Sequence, residues 1–259
     1  MRIRLSLHPL SFLAYFPLNH YSLAAFIYRT IGYADPEFSQ FLHDEGLRPG
    51  TPKESAKKFK LFSFSLPKLP SYTFEPSRLR FEEGFVQWQI SSPLSGFVEA
   101  LVAGLSAQGT VQIEGQAYQV RNIEIILPPR FTSSMRMMAL SPITVSVSTP
   151  REDGKQNKHY VRANDERYAP LVISNLLEKY KALTGKSCDP SELQFAFDWD
   201  YIERRGGMER VSKLILYKDT RIKGYLAPFF LSGEPKLLSL AWECGLGSSN
   251  SQGFGMIGV

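Results

Sequence analysis

The chemistry open to this chain is narrowed first by what it lacks. Its four histidines (His8, His20, His43 and His159) and two cysteines (Cys188 and Cys244) make no pair at metal-ligand spacing with each other or with carboxylates, which argues against a zinc site. The sequence contains no G-x-S-x-G elbow, and neither cysteine sits in a nucleophile context. Acid–base chemistry without a metal or cofactor remains, and His43 has the best setting for it. Asp35-Pro36-Glu37 reads as a helix start, with Asp35 as N-cap and Pro36 in the first turn. Phe38, Phe41 and Leu42 make the apolar stripe of that helix, and Gly46 can serve as its C-cap. At ~100° per residue His43 lies on the rim of the stripe in the last turn, where the helix dipole favours imidazolium. Tyr28 occupies a similar rim on the preceding helix, beside Leu23, Phe26, Ile27 and Ile31. The two can work as a pair, or serve as a capping histidine and an amphipathic tyrosine over the core edge. His20, in the turn Asn19-His20-Tyr21, is a second candidate base for which a capping role competes. His159 falls on a hairpin and reads as a solvent or phosphate contact.

The second signal is Gly245-Leu246-Gly247-Ser248-Ser249-Asn250-Ser251-Gln252-Gly253-Phe254-Gly255. Its four glycines let a backbone take positive φ and approach a ligand without Cβ interference, and its N–H groups can bind phosphate oxygens. The dinucleotide fingerprint is excluded, because it needs a glycine where Asn250 stands and a strand before a helix. The Walker pattern is excluded because Gly-Lys-Ser/Thr is absent. A plain helix-to-strand connection stays open, and Phe254 can either stack on a base or anchor the loop. Cations gather in two stretches. Lys53, Lys57, Lys58 and Lys60 face Glu54, while Arg204, Arg205, Arg210, Lys213, Lys218, Arg221 and Lys223 outnumber three acidic residues between Tyr201 and Lys223. Such patches can follow a phosphate backbone or be solvated hairpin faces.

The elements that must position these residues repeat their order. Arg2–Leu7 alternates as a strand, Tyr21–Ile31 is a helix, and Lys60–Leu66 is a strand that can pair with Arg78–Phe81. Phe85–Ile90 is a third strand, Phe97–Leu105 a helix, and Thr110–Leu127 closes with strands around a turn at Gly115. The second half runs through Met137–Val147, Lys158–Arg162 paired back across the turn Pro150–Asn157, and a helix Ala169–Thr184 stopped by Gly185. Strands Leu193–Trp199, Lys213–Leu216 and Tyr225–Leu231 follow, the first two around a polar connection Glu203–Gly207. A helix then opens at Glu234-Pro235 and runs to Cys244, and a last strand is Met256–Val259. Each half reads βαββαβ, so the class is α+β with two tandem ferredoxin-like (RRM-like) domains, 1–128 and 129–259, divided at Pro128-Pro129.

Composition agrees with a globular chain. The 259 residues are 43% hydrophobic and 21% charged, with a net charge of +5, too apolar for disorder and long enough for a sizeable core. Two cysteines cannot make a disulfide framework, which points to reduced thiols and a cytoplasmic location. The N-terminal MRIR-LSLHPLSFLAYFPL imitates a signal peptide, but His8, Pro9 and Pro17 interrupt it and no small-x-small site follows. No run reaches the ~18 apolar residues of a membrane span.

Taken in order, these residues resemble a known family. Asn19-His20-Tyr21 with Phe26-Ile27-Tyr28, Asp35-Pro36 with Phe41-Leu42-His43, Lys60-Leu61-Phe62-Ser63, Leu140-Ser141-Pro142-Ile143 and the C-terminal glycine loop are similar to the CRISPR-associated endoribonucleases of the RAMP superfamily. Those enzymes cut precursor CRISPR RNA within its repeats. The resemblance implies tandem ferredoxin-like domains and a Tyr, His and Lys that promote attack of a ribose 2′-hydroxyl on the adjacent phosphate without metal, giving a 2′,3′-cyclic phosphate and a 5′-hydroxyl. By position these are Tyr28, His43 and Lys60. It implies CRISPR repeat RNA as partner, held by Gly245, Gly247, Ser249, Asn250, Gly253, Phe254 and Gly255 of the loop, by Lys57 and Lys58, and by Arg204, Arg205, Lys213 and Lys223. A non-catalytic RNA-binding subunit of a CRISPR effector complex is the alternative, since family members include inactive binders. Monomer and homodimer are both compatible with the resemblance.

Overall fold

The computed structural model describes residues 1–50, 57–76, 78–150 and 156–259. Lys53 and Glu54 of the first basic stretch, and positions 151–155 of the turn after Pro150, lie outside them. In the first half, strand β1 (Arg2–Pro9) alternates so that Ile3, Leu5 and Leu7 point into the core. Helix α1 (His20–Ala34) starts where the Asn19 side chain accepts from the Tyr21 amide, and buries Leu23, Phe26, Ile27 and Ile31. Helix α2 (Pro36–Asp44) follows at once, with the Asp35 carboxylate capping the Phe38 amide at 2.9 Å. Strands β2 (Ser63–Phe64) and β3 (Val86–Ser91), helix α3 (Ser95–Gln108) and the hairpin β4 (Thr110–Ile113) and β5 (Gln116–Ile126) complete the unit. The antiparallel order β2-β3-β1-β5-β4 is a ferredoxin-like sheet with one extra edge strand.

The second half repeats it with β6 (Ser134–Ala139), α4 (Tyr168–Thr184), β7 (Leu193–Phe197), β8 (Pro228–Gly233), α5 (Pro235–Cys244) and β9 (Ile257–Gly258). Its sheet order is β7-β8-β6-β9, the same arrangement with strands one and three central. Gly185, at φ 72, ends α4 as the sequence implies. Each half has its own core. One gathers Ile3, Leu23, Phe26, Trp88 and Phe97, the other Val172, Leu176, Phe195, Phe229 and Leu237.

Several elements differ from the sequence reading. Lys60–Leu66 is not one strand, because Leu61 takes a positive φ of 49° and the chain changes sides there. Phe59 and Leu61 enter the second core, while Phe62 and Phe64 enter the first. The short β2 that survives pairs with β3, and Arg78–Phe81 pairs instead with Ala14–Pro17 and Thr73–Glu75 in a separate small sheet. Met137–Val147 divides into β6 and the strand Ser146–Pro150, which pairs with Gln156–Tyr160. Leu193–Trp199 stops at Phe197, since Asp198 caps a short helix Trp199–Arg204 by accepting from the Tyr201 amide at 3.0 Å. A second short helix, Met208–Val211, fills the connection to the hairpin Ser212–Tyr217/Thr220–Tyr225. Tyr225 ends that hairpin and Pro228 begins β8, so Tyr225–Leu231 is two strands.

Candidate active site

His43 stands in the last turn of α2 with its ring exposed, its Nδ1 2.6 Å from Asp44 Oδ1. That contact leaves the Nε2 edge turned away from the carboxylate. The His43 hydrogen bond in turn holds the Asp44 carboxyl below its ordinary range. Tyr28, one residue past the middle of α1, meets His43 edge to face with ring centroids 5.6 Å apart, and meets Phe62 at the same separation. Burial, reinforced by Tyr217, pushes the Tyr28 phenol up, so at neutral pH it is a proton donor. The two helices are held in register by Ser39, whose hydroxyl donates to the Tyr28 carbonyl at 2.9 Å.

Lys60 reaches the same place by a route the sequence does not display. Leu47 and Phe59 form an isolated antiparallel bridge (2.8 and 2.7 Å) that closes the excursion after α2 and returns the chain beside the helix end. Gly46, at φ 60, makes that return possible, since a Cβ there would lie 2.7 Å from the Phe59 carbonyl oxygen. The Lys60 amine donates to the Leu42 and His43 carbonyls, and Lys58 donates to the Asp44 carbonyl at 2.7 Å. Two ammonium groups therefore ring the negative end of α2. Burial first, then the neighbouring Lys58, lowers the Lys60 ammonium from its usual range. Tyr28, His43 and Lys60 are thus brought together, with the lysine amine directed at the helix end.

Beside this group a cleft of about 630 Å³ opens between the halves. Lys57, Lys58, Lys60, Lys158 and the loop residues Ser248–Gln252 are among its walls. Lys57 also pairs with Glu178 and lies over the Phe59 ring. The glycines of the loop approach the protein itself, although Gly247 also lines the cleft. A Cβ on Gly253 would lie 2.4 Å from Phe64 Cε2 and 2.7 Å from His20 Nδ1, and one on Gly247 would lie 2.3 Å from the Thr144 carbonyl oxygen. Gly245 and Gly255 are pressed against each other and Leu246 in the same way. The close approach that glycine permits is therefore made to the protein itself. Asn250 is also internal, its amide donating to the Leu246 and Phe254 carbonyls at 2.9 and 3.0 Å. Phe254 is fully buried, its ring 5.2 Å from that of His20; it anchors the loop, and stacking on a base is not open to it in this conformation. Ser248, Ser249, Ser251 and Gln252 line the cleft together with Gly247 and Asn250.

His20 belongs to this anchoring. It is buried, its Nδ1 donates to the Gln252 carbonyl at 3.0 Å, and burial brings its imidazole down to about 4. It is not placed to act as a base. His159 sits on the Gln156–Tyr160 strand with Nε2 3.2 Å from the Thr149 hydroxyl. Arg204, Arg205 and Lys213 are exposed on the short helix, its C-cap and the hairpin and are not among the residues lining the cleft, and Lys223 pairs with Glu209 at 2.9 Å. The hairpin end packs back on α1: Tyr217 meets Tyr21 at 5.7 Å, and Lys218 lies 4.6 Å from the Tyr21 ring centre. Sequence reasoning missed Lys179, which is fully buried and donates to the Gly245 and Gly247 carbonyls at 2.9 and 3.0 Å. Its signal was a lysine inside the apolar stripe of Val172, Leu176 and Lys179 on α4. Among the described residues no three His, Cys, Asp or Glu side chains gather to hold a metal, and no helix is long and apolar enough to cross a membrane.

Comparison with known proteins gives a consistent result. Residues 126–259 match the family model described as CRISPR-associated protein Cas6, C-terminal, and residues 15–124 match that for the N-terminal part of Cas6. The chain is 29% identical over 259 residues to the CRISPR-associated endoribonuclease Cas6 1 of Methanocaldococcus jannaschii, covering 99% of this chain and 92% of that protein. A solved structure described as a CRISPR-associated protein Cas6 superposes with a TM-score of 0.74 at 28% identity, over 100% of this chain and 98% of the other. The product of a Cas6-related gene from Pyrococcus furiosus shares the fold, with a TM-score of 0.81 at 20% identity, over 100% and 97% of the two chains.

Proposed function

Because the chain belongs to the CRISPR-associated Cas6 family, we propose that it is an endoribonuclease that cuts precursor CRISPR RNA within its repeats without a metal. The first 128 residues would carry the cleaving group, and residues 129–259 the loop and hairpins that hold RNA. The observation that carries this reading is the Tyr28–His43 ring pair with Lys60 at the same helix end, beside a lysine-walled cleft. With Nδ1 donating to Asp44, His43 presents a lone pair at Nε2 and takes the proton of a ribose 2′-hydroxyl. The 2′-oxygen bonds to phosphorus, the bond from phosphorus to the 5′-oxygen breaks, and the leaving oxygen takes a proton from Tyr28. The imidazolium then restores the Tyr28 proton. Lys60 exchanges its carbonyl partners for a phosphoryl oxygen, a charge-assisted contact that offsets the growing negative charge. The products are a 2′,3′-cyclic phosphate and a 5′-hydroxyl.

The test is incubation of repeat RNA with the protein in excess EDTA. Wild type is expected to give both end groups, a 2′-deoxy residue at the cut site to give none, and His43→Ala to slow cleavage by ~10²–10⁴-fold. Full activity in His43→Ala, or no cutting in EDTA, removes the mechanism. One observation favours a second reading. The Lys60 amine is engaged by the α2 carbonyls, as it would be in a binding subunit of an effector complex that does not cleave. That reading predicts repeat binding that survives His43→Ala, with no cyclic phosphate from wild type.

A further inference from the structure

Two polar side chains lie buried on the face that α4 turns to the glycine loop, Asn175 and Lys179, one helical turn apart. Lys179 is accounted for by its two carbonyl partners in the loop. Asn175 is not: it is 5% exposed, it lies against the cleft, and its Oδ1 meets no hydrogen-bond partner. Buried polar atoms without partners are rare, and asparagine gains nothing inside a helix, so neither packing nor helix propensity explains this residue. The cleft it borders has the size of a small-molecule site, ~300–1,000 Å³, and lysines line its rim. A neutral amide adds little to phosphate binding beside those lysines. A rotation about the last side-chain bond of Asn175 would turn the covered Oδ1 toward the cleft, giving an acceptor and a donor side by side at fixed spacing, which matches a base edge carrying an exocyclic amine next to a ring nitrogen.

We propose that Asn175 is a base-reading residue: one unstacked nucleotide of the bound RNA enters the cleft, the lysines and loop serines hold its backbone, and the amide pairs with an amino-bearing base edge, adenine foremost. Single-stranded RNA is read in this way, with bases splayed out and hydrogen-bonded along their edges. The inference rests on the RNA-processing reading above and adds to it a determinant of sequence preference that lies outside the cleaving group.

The experiment measures binding by fluorescence anisotropy for wild type and Asn175→Leu. The RNAs are the repeat and a set in which each amino-bearing base in turn is replaced by its counterpart lacking the amine. At one position wild type is expected to lose about 10-fold in affinity, whereas Asn175→Leu binds the parent and the modified RNA equally. Leucine has nearly the shape of asparagine and no polar atom to leave unpaired, so this variant is expected to melt no lower than wild type. Asn175→Ala gives the same readout should the leucine variant misfold. Equal weakening toward every RNA, or an amine preference unchanged in both variants, overturns the proposal. If wild type binds and cuts the repeat but shows no such position, this inference alone falls. If it binds no repeat RNA, the functional reading falls and takes this one with it.

Discussion

His20 and His43 differ in sequence only by their neighbours, and burial separates their roles. Among Phe64, Phe254 and Gly253, the His20 imidazole is pressed down to about 4, chiefly by burial and against the contribution of its bond to Gln252. Its folded value lies below its unfolded one, so between pH 6.5 and about 4 the unfolded chain takes up a proton that the folded chain refuses. Stability from this group is therefore complete above pH 6.5 and falls as pH drops toward 4. Between pH 7 and 5 the loss is on the order of 2 kcal/mol. His20→Gln should shrink the difference between urea denaturation curves at the two pH values by that amount; an unchanged difference would show that the ring titrates freely. At His43 the concern is orientation. The Asp44 contact is exposed on both sides, so its energy is small, but in the proposed mechanism it fixes which nitrogen faces the ribose. Asp44→Asn should leave the melting temperature unaltered and slow cleavage ~10-fold, well short of the His43→Ala loss. A variant as slow as His43→Ala would make Asp44 a participant in proton transfer. His43 could be placed from its spacing behind Asp35-Pro36. The burial of His20 could not, because the loop that covers it lies more than two hundred residues away in the chain.

Elements stabilised by local signals were the legible ones. The N-cap and proline of α2, the Gly185 stop of α4 and the Pro235 start of α5 each rest on a few adjacent residues. The segment 59–64 was not legible, since its side chains alternate between two cores rather than between core and solvent, and the alternation is broken at Leu61. The glycine loop was recognised, but the close approach of its glycines to the protein itself, such as Gly253 to Phe64 and His20, could not be seen in the sequence. That approach can be measured. Gly253 (φ 86) and Gly109 (φ 62, the C-cap of α3) both need left-handed backbone, so alanine strains both by about 1 kcal/mol. At Gly109 a Cβ meets nothing within 4 Å, whereas at Gly253 it meets Phe64 and His20. Urea denaturation should show Gly109→Ala costing about 1 kcal/mol and Gly253→Ala at least 2 kcal/mol more, from overpacking. Equal costs would mean that the loop yields and that its contact with α1 is slack.

At the scale of the whole molecule, the repeated βαββαβ order was visible in the sequence, but the way the halves are fastened was not. Met1 and Arg2, at the start of β1, do much of it. The Met1 amine pairs with Glu243, and the buried Arg2 guanidinium donates to the Trp242 carbonyl and lies 3.8 Å from the Trp242 ring centre. Burial lowers Arg2 to about 9 despite the attraction of Glu243. A strand of the first sheet thus holds the last helix of the second unit, while on another side the C-terminal loop holds α1 through His20. Both of these join opposite ends of the chain, and the halves also meet where Phe59 and Leu61 enter the second core and where Tyr217 packs on Tyr21. This coupling predicts one calorimetric unfolding transition for wild type. Arg2→Ala removes the guanidinium, its stacking on Trp242 and one of these fastenings, while each half keeps its own core. It should split the transition in two, with the second unit, which loses the strand end packed on α5, melting first. Under the proposed function, in which repeat RNA lies between both halves, it should then bind more weakly although every lysine of the cleft remains. A single transition, merely shifted down, would mean that the remaining contacts, the loop on His20 among them, suffice to hold the halves together.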